Sequence, residues 1–405
     1  MTDFSLYLHI PFCVHRCAYC DFNTYAGQEA LIPAYLDALQ AEIGYLSATS
    51  PERLRVATIF FGGGTPSLLS GPQLASVMDA LRAAFEFHPA LEATLEANPG
   101  TVSLETLTAY RAAGLNRLSF GVQSAHPAEL RMLERAHDFF DVIQSVKWAR
   151  QAGFTNLNLD LIYGLPEQSL ASWKVTLQRA VDLHPEHISA YALTLEHGTP
   201  FGRWARRGLL PLPDPDLAAE MYEWTSEFLE ANGYVQYEIS NWARHDGTSL
   251  SAHQAPAFAC RHNLQYWRNL PYLGLGAGAH GYAHGYRYSN VLRIKTYIER
   301  LRNLPASSLL AFPFTPATVN AHKQTLQDDL SDFMITTLRL TRQGLSTAEF
   351  RRRFGRAVTE VFGREITELV EFGLLEWVEI AGETFLRLSR RGRLLGNQVF
   401  VRFVS

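Results

Sequence analysis

Cysteine is scarce in this chain: four among 405 residues. Three of the four are bunched between positions 13 and 20, so they do not make the spaced pairs of a disulfide framework. A reducing compartment is therefore expected, most simply the cytoplasm. Long apolar runs are missing as well. No stretch reaches the length that spans a bilayer, and no signal peptide opens the chain, so no integral membrane segment is expected. Neither charge dominates. With 36 Lys and Arg against 40 Asp and Glu the net charge is -4, which gives no overall pull toward nucleic acid or an anionic membrane. Hydrophobic residues at 47% and charged residues at 19% describe an ordinary globular chain, long enough for a large core and two domains.

What is present concentrates in Cys13-Val14-His15-Arg16-Cys17-Ala18-Tyr19-Cys20. An apolar run, Leu6 to Ile10, closed by Pro11, precedes it and reads as a buried strand ending in a loop. Gaps of three and two residues let one loop wrap a compact inorganic core with several sulfurs pointing inward. Iron–sulfur clusters usually take four thiolates. Three thiolates on a four-iron cluster leave one iron free for an exchangeable molecule. Two plainer readings compete. Zinc would need a fourth ligand from His9, His15 or Cys260, and structural zinc sites more often show paired C-x2-C hooks. Unliganded cysteines also pack as small hydrophobes.

From residue 1 to about 195, apolar strands alternate with amphipathic helices. Strands are expected at Leu6 to Ile10, Val56 to Phe61, Ala93 to Glu96, Arg117 to Val122, Asn156 to Ile162 and Ile188 to Leu193. Between them, Leu31, Tyr35, Leu39, Ile43 and Leu46 recur at helical spacing, as do Leu74, Val77, Met78, Leu81 and Phe85. Ser103 and Asp138 stand where helices start, Gly114 and Gly153 where they stop. Six β-α steps imply parallel strands with right-handed crossovers, hence an α/β fold: a partial (β/α)6 parallel barrel over residues 1–230. Chemistry in such folds gathers at the strands' C-terminal ends. Unusual residues recur there: the cysteines, then Gly62-Gly63-Gly64-Thr65-Pro66, Glu96 to Gly100, Gly121 to Ser124, Asp160 with Tyr163 to Pro166, and Thr194 to Pro200. Exposed glycine backbone suits a ligand's amino and carboxylate groups. Glu96 and Asp160 suit ribose hydroxyls or an ammonium, and Gln123 and Arg135 add polar contacts. Taken singly, each is also an ordinary turn, cap or solvated side chain.

Residues 231–303 form an irregular, aromatic-rich extension. Within it, His262 is a candidate iron ligand, and Tyr266 and Trp267 offer flat faces to a macrocycle. On the residues alone, a core histidine with an ordinary hydrogen bond is the plainer reading. Gly274 to Gly281 lacks dinucleotide spacing and reads as close backbone packing. A Pro-, Ser- and Ala-rich linker, 304–317, leads to a small C-terminal domain, 318–405. There a helix from Leu330 to Leu340 carrying Leu330, Phe333, Met334 and Leu338 on one face, a second started by a Ser346/Glu349 capping box and ended by Gly355, and a third reaching Gly373 precede a hairpin around Ala381-Gly382-Glu383. That order is winged-helix-like. Arg351 to Arg353, Arg390, Arg391 and Arg393 make it locally basic, but Glu360, Glu365, Glu368 and Glu371 line the would-be recognition helix. A lid or docking module is expected, and no nucleic-acid partner.

Leu6 to Cys13 with Cys17, Tyr19 and Cys20 resembles the cluster loop of radical S-adenosylmethionine (SAM) proteins, in their coproporphyrinogen dehydrogenase-like branch. Gly62 to Pro66, Gly121 to Gln123, Asp160 to Pro166 and the C-terminal domain are similar to the same branch, so the resemblance covers almost the whole chain. It implies that Cys13, Cys17 and Cys20 ligate a 4Fe-4S cluster whose open iron takes SAM. It assigns contacts with that cofactor to Tyr7, Tyr19, Gly63, Gly64, Thr65, Glu96, Gln123, Arg135 and Asp160, and it implies an electron donor for the cluster. Two activities occur in the branch. One is oxygen-independent coproporphyrinogen III dehydrogenation, the oxidative decarboxylation of propionates by a 5′-deoxyadenosyl radical. The other is a heme chaperone with heme as cargo and heme-accepting proteins as partners. Three features favour the chaperone: the chain starts only a few residues before its first strand, Asp21-Phe22 follows Cys20 where the dehydrogenase has a further cysteine, and His262, Asn263, Tyr266 and Trp267 fit an HNxxYW heme motif. The resemblance thus makes those four residues a heme site and leads us to expect no dehydrogenase activity.

Overall fold

The apolar run before the cysteines is a strand, β1 (Phe4–Ile10), with six of its seven residues buried. It opens a regular alternation: α1 (Ile32–Thr49), β2 (Arg55–Gly63), α2 (Gly71–Ala84), β3 (Glu86–Ala97), α3 (Leu104–Ala113), β4 (Arg117–Gln123), α4 (Phe139–Gln151), β5 (Leu157–Tyr163) and α5 (Leu170–Val181). Neighbouring strands from β1 to β5 pair in parallel in chain order, as helical crossovers require. The helix starts follow from local chemistry. Ser103 accepts from the Thr106 N–H and Asp138 from the Phe140 and Asp141 N–H groups, each in a capping box. Gly114 ends α3 at φ 110°, a conformation that costs a side chain and that glycine adopts freely.

A computed structural model, describing residues 3–247, 254–302 and 310–404, divides the chain into two compact units. Each is discontinuous in sequence. The first holds Met1–Pro185, Tyr191–Pro215 and Pro271–Lys323; the second holds Glu186–Ala190, Asp216–Leu270 and Gln324–Ser405. The chain enters the second unit with most of β6 (His187–Ala192), returns to the first for Tyr191–Pro215, and then gives the second unit α6 (Pro215–Ala231), β7 (Tyr234–Glu238), β8 (Asn241–Arg244) and α7 (Arg261–Trp267). It returns as β9 (Tyr272–Leu275), which pairs in parallel with the free side of β1, followed by the antiparallel β10 (His280–Ala283), β11 (Tyr286–Asn290) and, past α8 (Ile294–Arg302), β12 (Thr318–Lys323). Gly274 to Gly278 is close backbone packing: a Cβ on Gly274 would stand 1.9 Å from the His280 carbonyl oxygen, and one on Gly276 2.5 Å from the Tyr35 hydroxyl. Of the expected linker, residues 304–309 lie outside the described residues. Thr315 and Ala317, farther along it, are buried in the first unit.

In the second unit β6, β8 and β7 form antiparallel pairs. The C-terminal segment runs α9 (Leu326–Thr337), β13 (Leu345–Ser346), α10 (Thr347–Phe354), α11 (Val358–Glu371), β14 (Leu375–Ile380), β15 (Glu383–Leu388) and α12 (Arg390–Leu394). Its three strands pair antiparallel, with β15 in the middle, around a core that includes Phe333, Met334, Phe350, Ile366 and Leu386. Two details differ from expectation. Helix α9 starts four residues before Leu330 because Thr325 and Asp328 form a capping box. Only half of the Ser346/Glu349 box forms: Ser346 accepts from the Glu349 N–H but donates to Glu383, while the Glu349 carboxylate pairs with Arg352 at 3.2 Å. No helix among the described residues is long and apolar enough to cross a membrane.

Candidate functional site

The C-terminal ends of β1 to β5 open into one cavity of about 430 Å³ in the first unit. Each strand end delivers a different kind of group. The loop after β1 brings Cys13, Cys17, Tyr19 and Cys20 to the cavity lining; β2 and the residues after it bring Gly63, Gly64 and Thr65; β3 brings Glu96; β4 brings Gln123; β5 brings Asp160. Arg135, between β4 and α4, completes the set. Tyr7 is the one expected contact outside the lining. It lies behind Gly62, where an added Cβ would meet its ring at 3.0 Å, and its hydroxyl is hydrogen-bonded to His9 Nδ1 at 2.9 Å.

Backbone staples fix the cysteine loop. The Gly64 and Thr65 N–H groups donate to the Ile10 and Phe12 carbonyls, both at 2.8 Å, and Cys20 N–H closes a turn on Cys17 at 3.1 Å. The Thr65 hydroxyl points at Cys13 Sγ from 3.5 Å, and Arg135 Nη1 at Cys17 Sγ from 3.5 Å. Gly64 has no room for a side chain: a Cβ would stand 2.5 Å from the Phe12 carbonyl oxygen. Burial raises the Cys13 and Cys20 thiols above the ordinary range, as expected of thiols that face no cation strong enough to ionise them.

The cavity also presents two carboxylates. Glu96 is half-buried and accepts from the Gly63 N–H at 3.1 Å. Burial, with the nearby Asp160 charge, pushes it up to about 8 against the pull of that N–H and of Arg117. Asp160 is held on both oxygens, by Ser119 Oγ at 2.7 Å and Asn158 Nδ2 at 2.9 Å. Arg135 donates to Asn98 Oδ1 at 2.5 Å and to the Gly121 carbonyl at 2.7 Å; burial opposes its charge, but Tyr19 and Cys17 outweigh this. Gln123 sits at φ 66° beside a register shift between β4 and β5, a strained placement that turns a strand residue into the cavity.

Sequence reasoning passed over the residues that orient these groups. Asn98 joins Thr65 Oγ1, at 3.0 Å, to Arg135. Ser119 and Asn158 fix Asp160, and His137 is hydrogen-bonded to the Val122 carbonyl at 3.1 Å. A signal existed for two of them: Ser119 and Asn158 stand two positions before Gly121 and Asp160, on the same strand face.

The donor set suits a cluster and an amino-acid-bearing cofactor. Three thiols from one loop face a cavity that also presents two carboxylates, exposed glycine backbone and the buried, unpartnered Nε of Arg135. His9 has both ring nitrogens engaged, with Tyr7 and with the Asn23 carbonyl, and His15 is paired with Glu134 at 3.2 Å. Among the described residues no three His, Cys, Asp or Glu side chains converge on a single metal ion.

The second unit holds the other expected group. His262 is only 1% exposed, and its Nε2 is hydrogen-bonded to the Tyr266 hydroxyl at 2.9 Å. Asn263, Tyr266 and Trp267 are half-buried on the same short helix, and the Arg339 guanidinium lies 4.5 Å over the Trp267 ring.

Residues 7–180 match the radical SAM superfamily, and residues 324–395 match the HemN C-terminal domain. A Bacillus subtilis (strain 168) protein named heme chaperone HemW is 39% identical over 403 residues, covering 99% of each chain. A Lactococcus lactis protein of the same name is 35% identical over 400 residues, covering 99% of this chain and 97% of its own. Among solved structures, the radical SAM enzyme coproporphyrinogen III oxidase (HemN) from Escherichia coli superposes with a TM-score of 0.80 at 25% identity, covering 99% of this chain and 90% of that one.

Proposed function

This chain belongs to the HemW family of the radical SAM superfamily, and from that premise we propose that it is a heme chaperone, binding heme and passing it to acceptor proteins. The carrying observation is end-to-end identity of 39% with a heme chaperone of matching length. In this reading Cys13, Cys17 and Cys20 hold a 4Fe-4S cluster, and SAM occupies the cavity beside it. When bound, that pair supplies one-electron reduction of a sulfonium. The chain's own residues do the rest. Thr65 and Arg135 direct donors at Cys13 Sγ and Cys17 Sγ, and so hold those sulfurs in place. The Gly63 and Gly64 backbone lines the cavity where a ligand's amino and carboxylate ends would lie, and Tyr7, behind Gly62, backs that floor. Glu96, whose carboxyl burial and the nearby Asp160 charge raise to about 8, would lie beside a bound ammonium, and that cation would favour its carboxylate form. Asp160, oriented by Ser119 and Asn158, lines the cavity as a carboxylate acceptor suited to hydroxyl donors such as those of a ribose. Tyr19 and Gln123 close the sides.

Heme in this reading belongs to His262, Asn263, Tyr266 and Trp267. His262 is buried and its Nε2 is bonded to Tyr266, so iron ligation through Nε2 requires that hydrogen bond to open. The alternative is coproporphyrinogen III dehydrogenation, favoured by the likeness to HemN. One experiment separates them. The anaerobically reconstituted chain is titrated with hemin, and separately given coproporphyrinogen III, SAM and a reductant. A saturable Soret shift, weakened in His262→Ala, with no protoporphyrinogen formed is the expected result. Steady turnover without hemin binding would overturn the proposal.

A further inference from the structure

The arginines of the C-terminal segment were left without a role by the function proposed above. In the second unit, Arg342, Arg387, Arg390 and Arg393 line a cavity of about 400 Å³, together with Tyr222 and Trp242. The protein uses only part of the donor capacity of Arg393 and Arg390. Arg393 donates to the Gln236 side chain at 2.8 Å and to the Thr341 carbonyl at 3.4 Å, and its Nε is buried without a partner. Arg387 is matched by Glu376 at 2.7 Å. Arg390 reaches Glu230 only at 3.9 Å, with both side chains largely exposed. Trp242 Nε1 and Thr341 Oγ1, in the same lining, are further buried polar atoms without a partner.

Four guanidiniums around one cavity repel one another, and planar forks of this kind match carboxylate and phosphate groups. Burial holds Arg393 and Arg342 below the usual guanidinium range, and the charge of the neighbouring Arg387 adds to the effect in both. An anion would relieve that repulsion. The rest of the lining argues for a compact ligand. Glu223, Glu227 and Glu230, spaced along one face of α6, line the same cavity and would repel an extended polyanion. The cavity is also separate from the α7 motif. Gln236 and Trp242, paired across β7 and β8, face it, whereas Tyr237 and Ala243 on the reverse face pack with Leu264 of α7.

We propose that this cavity is a binding site for a compact polyanion, a small molecule carrying two or more phosphate or carboxylate groups seated against Arg342, Arg387, Arg390 and Arg393. The test uses the full chain at low ionic strength, titrated calorimetrically with inorganic pyrophosphate and, separately, with citrate. Saturable binding of one anion per chain is expected, and which of the two binds more tightly identifies phosphate or carboxylate as the preferred source. Arg390→Glu, at an exposed position that leaves folding intact, should weaken binding about tenfold or more. Arg393→Gln should weaken it too, with added salt reducing affinity in the parent chain. No saturable binding of either anion, equal affinity in Arg390→Glu, or tighter binding of a DNA duplex than of pyrophosphate would overturn the proposal.

Discussion

At the scale of single residues, the cavity in the first unit is built from groups that other chemistry would not tolerate. Gly64 shows it most directly. Its missing Cβ leaves room for the Phe12 carbonyl, and its N–H staples the start of the cysteine loop. Gly64→Ala should therefore fold yet take up much less iron on anaerobic reconstitution; full iron content in that variant would contradict the role given to the staple. Glu96 offers a pH signature. Its carboxyl is raised from 4.5 to about 8 by burial and by Asp160, so folding favours its protonated form. The stability this gives is fully present below about 4.5 and is lost as pH rises through about 8. In Glu96→Gln that component is absent, so the cofactor-free variant should lose less thermal stability than the parent chain between those two values. Parallel curves would refute it. Most of these side chains were legible because strand ends concentrate unusual residues. Asn98 and His137 were not, since an amide or imidazole that orients a neighbour has no spacing rule of its own.

At the scale of elements, what was legible was what local chemistry controls. The helices begin where Ser103 and Asp138 offer a cap and stop where glycine can take a positive φ. Ser103→Ala should cost about 1 kcal/mol of stability, measured by denaturant unfolding, because it strips the partner from the Thr106 N–H. The hairpin is another case. Ala381 at φ 52° and Gly382 at φ 82° form a two-residue turn with both central residues left-handed. Gly382→Val should destabilise by about 1–3 kcal/mol, and an unchanged unfolding midpoint would show that the turn tolerates a branched residue. Pairing partners were harder to read. β9 is four residues long and glycine-bearing, so nothing in its own pattern says that it pairs in parallel with β1, more than 260 positions earlier.

At the scale of the whole molecule, the division into units escapes the sequence because each is assembled from separated segments, and contact across long separations leaves no periodic trace. In the first unit the returning segment is secured by one carboxylate. Glu42, fully buried in α1, accepts from Gly276 N–H at 2.8 Å, Asn290 Nδ2 at 2.8 Å, Tyr297 OH at 2.7 Å and Thr315 Oγ1 at 2.9 Å. Glu42→Leu would leave those donors buried without an acceptor and should cost at least about 3 kcal/mol, with Glu42→Gln milder; equal stability of the two variants would contradict this. A fold held that firmly around one end of β1 gives the cysteine loop a fixed platform. The most direct test of that platform's purpose is anaerobic reconstitution of the full chain, followed by iron and sulfide analysis and by electron paramagnetic resonance of the reduced protein with and without SAM. The account predicts about four irons and four sulfides per chain, lost in Cys17→Ala, and a signal that changes when SAM is added. Zinc in place of iron, or a signal indifferent to SAM, would contradict it.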